Sequence, residues 1–310
     1  MNFENIKSQG VFWPVKRRKF IKDSITTASV MLASPLLTNA ANIIKPGQTY
    51  TVKQVMDLFI GEVPGGALSN TIDTLKAGSP DTIVTGIVTT MFATIEVINK
   101  AVEVSANFII AHEPTFYNHT DDASWLQNSE VYQYKASLLK QHQIAVWRNH
   151  DYIHRLVPDG VTTGVLAQLD WQKFAGLKTP NIITIPAISL TELIGYVKQK
   201  LDIEKVRYIG NQSQKCSRIL LLPGAPGGRR QIEAIMSVKP DVILCGEISE
   251  WETAEYVRDA QAKGDNLSLV VLGHIASEEP GSQYMLNWLK TKLPSLKSTH
   301  IPCGNSLLFM

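Results

Sequence analysis

His112-Glu113, His150-Asp151 with His154, and His274 with Glu278 are the side chains in this 310-residue sequence whose types and spacing suit chemistry on a bound cation. Divalent ions take neutral imidazole nitrogen and anionic carboxylate oxygen as donors, and they need these to converge from separate segments. Each group follows a short apolar run: Phe108-Ile109-Ile110-Ala111, Ile144-Ala145-Val146-Trp147 and Leu269-Val270-Val271-Leu272. An apolar strand has no reason of its own to end on imidazole beside carboxylate. A single strand-end histidine is more commonly an ordinary hydrogen-bonded residue. It is the conjunction of three such endings that points to a metal pocket.

Such endings need a scaffold that gathers strand carboxyl ends, and parallel α/β sheets do this. Apolar spacing predicts helices over 51–60, 94–104, 131–142, 161–171, 191–201, 230–236, 252–263 and 281–293. Strands are predicted over 82–88, 108–111, 144–147, 181–190, 206–209, 218–222, 241–245 and 267–272, with a terminal strand near Leu307. The stretch 65–81, which contains Asp73, reads as a long loop. Thr191 ahead of Glu192 reads as a helix cap. Pro280 reads as the start of the last helix, which sets Glu278 near a helix amino end, where negative charge is favoured. Two successive runs of alternating elements predict an α/β fold of two similar halves.

Composition bounds the partners. The chain is 44% hydrophobic and 19% charged, enough to bury a sizeable core. Its net charge of +2 is a sum over unlike parts: residues 1–40 hold six lysines and arginines against Glu4 and Asp23, so the remainder carries −2. A slightly acidic body with no basic stripe excludes nucleic acid as the expected partner. Within residues 1–40, Lys16-Arg17-Arg18-Lys19 precedes a mild apolar run from Ile25 to Leu37 and then Thr38-Asn39-Ala40, which resembles a twin-arginine export signal with a cleavage site. The run is shorter than the roughly 20 residues a membrane-spanning helix needs. The expectation is a signal over 1–40, an exported periplasmic body over 41–310 and no stable membrane insertion; the alternative is an amphipathic helix that stays attached. Cys216, Cys245 and Cys303 lack metal-finger spacing.

The resemblance of the chain from about Thr51 onward is to the NGG-interacting-factor-three family of dinuclear metal proteins. It rests on Val84-Thr85-Gly86-Ile87-Val88, Ala106 to Pro114, Gly246-Glu247 and, above all, Gly273-His274-Ile275-Ala276-Ser277-Glu278. The family pattern has His-His-Pro in its first motif and His-x-x-x-Asp in its middle one. This chain has Glu113 where the second histidine stands and His154 where the aspartate stands. The two exchanges restore a set of three histidines and two carboxylates, so the resemblance implies His112, Glu113, His154, His274 and Glu278 as ligands of two divalent ions between the halves. Asp151 competes with His154 as the middle ligand. The family's histidine after Gly-Glu has no counterpart here; Trp251 lies in that region.

Donors without thiolate imply zinc, iron or manganese. The resemblance also implies a homohexamer. The first functional expectation is a metal-dependent hydrolase of a small-molecule substrate, with Glu247, Asp151 or His150 moving the proton. The second is a non-catalytic protein that holds or delivers metal. The GTP cyclohydrolase name carried by some family members does not pass readily to an exported chain, and no Gly-x-x-x-x-Gly-Lys loop is present.

Overall fold

The computed structural model describes residues 48–308 and 310, so the arginine-rich stretch and the whole of 1–40 lie outside the described residues. Two five-stranded sheets organise the rest. The first contains β1 (Leu75–Ala77), β2 (Ile87–Thr90), β3 (Phe108–Ala111), β4 (Ala145–Arg148) and, from the far end of the chain, β10 (Ser298–His300), in the order β1-β4-β3-β2-β10. The second contains β5 (Ile182–Ser189), β6 (Arg207–Ile209), β7 (Lys215–Leu222), β8 (Val242–Cys245) and β9 (Ser268–Val271), in the order β5-β7-β8-β9-β6.

Both sheets share one plan. β2, β3 and β4 run parallel, as do β7, β8 and β9, and an antiparallel strand flanks each parallel core: β1 on β4, β5 on β7, β6 on β9. Parallel strands need crossovers, and these are helices: α2 (Ile95–Glu103) and α3 (Glu130–Gln141) in the first half, α7 (Gly228–Val238) and α8 (Glu255–Ala262) in the second. The remaining helices are α1 (Val52–Ile60), α4 (Asp151–Arg155), α5 (Gly160–Gln168), α6 (Leu190–Leu201) and α9 (His274–Lys292).

The parallel strands are apolar on both faces because both faces are covered. The pleat sends Phe108 and Ile110 into a core shared with Leu221, Leu244 and Val270 of the second sheet, whereas Ile109 and Ala111 pack with Val97 and Leu139 on the outside. Ile243 and Cys245 likewise face outward, against Val257. α1, α5, α6 and α9 supply the shared core between the sheets. There Phe59 meets Trp147 and Trp288 edge to face, with ring centroids 5.9 and 5.0 Å apart. All three cysteines are free.

Four expectations need correction. The terminal strand is Ser298–His300, paired parallel to β2, while Leu307 stands exposed; a lone leucine near the end of a chain carries no pairing partner in its sequence. The loop 65–81 contains β1, an edge strand too short to show alternation. The cap of α6 is Ser189, whose hydroxyl accepts from the Glu192 amide in a capping box, and not Thr191. The last helix begins at His274, seven residues before Gly281, and runs through Pro280. Proline is tolerated there because tertiary contacts hold the first turns: Ser277 Oγ accepts from the Gly224 amide at 3.0 Å and donates to the His274 carbonyl at 2.8 Å. α9 also crosses α5 so closely that a Cβ on Gly164 would overlap the Pro280 carbonyl.

Candidate metal centre

The carboxyl ends of both parallel cores meet at one pocket. β3 runs directly into His112 and Glu113, and β4 runs through Asn149 into His150 and α4, which carries His154 on its last turn. From the second half, β9 turns through Gly273 (φ 94°) into His274, the first residue of α9, and Glu278 follows one turn later on the same face. The ends of β7 and β8 contribute glycines. Gly224 has φ 65°, and a Cβ there would overlap the Glu278 carboxylate; a Cβ on Gly246 would overlap Ser277 Oγ. Side chains are absent at these two strand ends so that backbone can back the carboxylate directly.

The first-half histidines are aimed by what holds the far side of each ring. His112 Nδ1 donates to the Asn149 carbonyl at 3.2 Å, which turns the Nε2 lone pair into the pocket. His150 Nδ1 faces Asp151 Oδ1 at 3.2 Å, and His154 Nδ1 faces Asp159 Oδ2 at 2.8 Å. The His112 ring lies stacked on His150 (centroids 4.8 Å) and edge-on to His154 (5.2 Å). Burial opposes charge on both His112 and His150, but Glu278 and Glu113 beside His112 raise its pKa. Burial and the neighbouring His112 push His150 down to about 4, so it stands as a neutral donor.

Two carboxylates supply negative charge, Glu113 from the first half and Glu278 from the second. Glu278 Oε2 lies 3.0 Å from His274 Nε2 and 3.4 Å from His112 Nε2, and its Oε1 lies 3.9 Å from His154 Nε2. Glu113 Oε1 lies 3.3 Å from His274 Nε2 and 3.8 Å from His150 Nε2. Burial alone would raise the carboxyl of Glu278 and lower the imidazolium of His274, but their mutual hydrogen bonding wins on both sides. Glu278 is held well below the usual carboxylate range, and His274, between Glu113 and Glu278, is pushed up to about 10. The His274 proton therefore sits where carboxylates and imidazoles converge, the place a cation would take.

His112 Nε2 is buried without a hydrogen-bond partner, and its 3.4 Å approach to Glu278 is not a hydrogen bond in geometry. A buried lone pair left unpaired costs about 1–3 kcal/mol unless something fills it. Two groups of donor atoms lie within 4.8 Å of one another: His112, His150 and His154, and His112, Glu113 and Glu278. The chemistry of the set, nitrogen and carboxylate oxygen with no thiolate, fits a hard or borderline divalent ion.

The expected ligands His112, Glu113, His154, His274 and Glu278 are all brought to this pocket. Of the three residues expected to move protons, His150 stands among the donors. Asp151 lies behind it, with Oδ2 accepting from the Thr71 hydroxyl at 2.8 Å and from the Ile72 amide. Glu247, more than half exposed, faces His274 Nδ1 at 2.9 Å. Four supporting residues carried no recognised sequence signal for this role. Arg148, fully buried, donates to Glu113 Oε2 at 3.3 Å and to the His119 carbonyl, and Asp121 Oδ2 lies 3.4 Å from it. Asp73 accepts from the His150 and Tyr152 amides at the start of α4. Asp159 caps α5 through the Thr162 amide while holding His154, and an aspartate ahead of an apolar helix was the one legible hint.

Residues 72–304 match the family model described as Duf34/NIF3 (NGG1p interacting factor 3). The chain is 25% identical over 230 residues to a GTP cyclohydrolase 1 type 2 homolog of Clostridium acetobutylicum, covering 71% of this chain and 81% of that protein. It is 24% identical over 239 residues to a protein of the same name from Chlamydia pneumoniae, covering 74% and 89%. Its fold is similar to the crystal structure of a Bacillus cereus protein related to NIF3, with a TM-score of 0.68 at 15% identity over 85% of this chain and 99% of that one.

Proposed function

Because this chain belongs to the Duf34/NIF3 family, we propose that its histidine–glutamate pocket holds two divalent cations and hydrolyses a small molecule. One observation carries the reading: the buried, unpartnered Nε2 of His112, fixed in tautomer by a main-chain carbonyl and faced by an ionised Glu278. His112, His150 and His154 would hold cations with neutral nitrogen, while Glu113 beside them and Glu278 and His274 from the second half would complete the set. Bound cations of this kind lower the pKa of water and polarise an electrophile.

The chain's own residues do the rest. Asp151, Asp159 and Glu247 each hold the Nδ1 side of one histidine, fixing ring orientation and making the facing nitrogen more basic. His274 must give up its Nε2 proton for a cation to enter, and Glu247 on its Nδ1 keeps the remaining proton there, so that the freed Nε2 faces the pocket. Glu247, the most exposed of these groups, is the one positioned to pass a proton between the pocket and solvent. The name of the relatives makes GTP one candidate substrate beside phosphodiesters and amides. Elemental analysis of the purified protein followed by that substrate panel tests the proposal. It requires turnover and metal to disappear together in His274→Ala; turnover that survives removal of every metal refutes it.

A second reading, a protein that holds or delivers metal without turnover, is favoured by the depth of the donors: His112, Glu113 and Glu278 are each under a tenth exposed. A coordination sphere filled by protein atoms alone in a metal-loaded crystal would select it. Export and hexameric assembly are part of the proposal; fractionation of the native cell and the mass of the purified protein in solution test them.

A further inference from the structure

Away from the histidines there is a second opening, a cavity of about 520 Å³ between β1, the 78–82 turn and α3. That is within the roughly 300–1,000 Å³ of small-molecule sites. One wall is aromatic: Phe116 and Tyr132 meet edge to face, with centroids 5.1 Å apart and planes at 73°. Leu139 and Ile144 extend the apolar lining. Lys76 and Lys140 stand among the lining residues, and no carboxylate does. An aromatic wall facing two lysines, with no carboxylate among the lining residues, is a lining that suits an aromatic acid.

Lys76 gives the cavity its address. Its side chain is 7% exposed, an unusual depth for an ammonium, and its Nζ lies 3.3 Å from Asp121 Oδ2. That same oxygen is 3.4 Å from Arg148 Nη1, so one carboxylate serves two buried cations. Arg148 Nη2 in turn lies 3.3 Å from Glu113 Oε2. A continuous run of buried charges, Lys76, Asp121, Arg148 and Glu113, thus joins the cavity wall to the donor cluster.

We propose that this cavity binds a small aromatic anion, its ring against Phe116 and Tyr132 and its acid group on Lys76 and Lys140, and that occupancy alters cation affinity through the Lys76–Asp121–Arg148–Glu113 run. An acid group that draws Lys76 toward itself leaves Asp121 more fully to Arg148, which loosens the hold of Arg148 on Glu113. Binding at the cavity does not depend on the metal reading, while the coupling does. By linkage, metal must alter affinity for the anion by the same factor.

Titration calorimetry of the full chain with benzenesulfonate, a poor metal ligand, is the test, with benzyl alcohol as the neutral control. One equivalent of benzenesulfonate is expected to bind, about tenfold more tightly than benzyl alcohol and about tenfold more tightly than to Lys76→Met. Ala136→Trp, which fills the cavity away from the ion pairs, is expected to abolish binding. With wild type and variant both stripped of metal, His274→Ala is expected to leave it unchanged, which separates failure of the metal pocket from failure of the cavity. No binding, equal binding of the neutral control, or full binding to a folded Ala136→Trp overturns the site. If that variant does not fold, Lys140→Glu reads the charge alone, and unchanged affinity there overturns the site equally. Saturating benzenesulfonate is expected to shift cobalt(II) affinity by about fivefold; the same affinity with and without it overturns the coupling.

Discussion

The two halves repeat one plan of parallel strands yet equip their carboxyl ends differently. The first half carries a rack of imidazoles, each pinned at Nδ1 by a carbonyl or carboxylate of its own half and facing inward with a lone pair. The second half brings one buried carboxylate and one imidazole on the first turns of α9, and clears space with Gly224 and Gly246. The duplicated scaffold is therefore symmetric in backbone and asymmetric in the donors it presents. The first half supplies most of the imidazoles, each half supplies one carboxylate, Glu113 and Glu278, and the second adds His274, so the full donor set exists only where the halves meet.

The largest break in that asymmetry is Glu278→Gln. Removing the carboxylate that reaches His112, His154 and His274 is expected to lower metal affinity by more than about 100-fold, since losing only an outer partner costs 10–100-fold; metal content by mass spectrometry reads it. Asp159→Ala acts on the rack side. It should reduce affinity by about tenfold and stability by about 1 kcal/mol, because the carboxylate both holds His154 and caps α5. Chemical denaturation separates the two effects.

Gly224→Ala tests the clearance. A methyl group at φ 65° against Glu278 should cost about 1–3 kcal/mol in a thermal melt. The pH dependence tests the charge. In protein stripped of metal, His274 has its pKa raised to about 10, so its stabilising charge is fully present below about 6.5 and is lost as pH rises through 10. Melting temperature should fall across that window in wild type and stay flatter in Glu278→Gln. Metal uptake should run the other way, rising with pH as the proton leaves. The smallest effect belongs to Arg229→Ala, an exposed partner of Glu233 on the surface of α7, expected to change stability by less than about 0.5 kcal/mol.

How much of this was legible follows from range. Phe108 to Ala111 and Leu269 to Val271 announced themselves as buried strands, and the side chains just past them could be read as donors because nothing local explains them. The rotation of those donors was not legible. Asp159 lies five residues from His154, but nothing in the sequence ties it to that ring, and Asn149 acts through its main chain, which no side-chain pattern records. Arg148 ends β4, and its burial against Glu113 and Asp121 depends on what the fold brings beside it. Pro280 misled because the rule for exposed helices was applied to a helix whose first two turns are packed on Gly164 and tied through Ser277 to Gly224.

β10 has a bearing on synthesis. The last strand of the polypeptide lies beside β2, laid down more than two hundred residues earlier, and its parallel pairing covers an edge of the first sheet. A ribosome still holding residues 298–300 in its exit tunnel holds a chain whose first sheet has an open flank. The half that presents most of the imidazoles therefore cannot close this flank until the whole of the second half has been made.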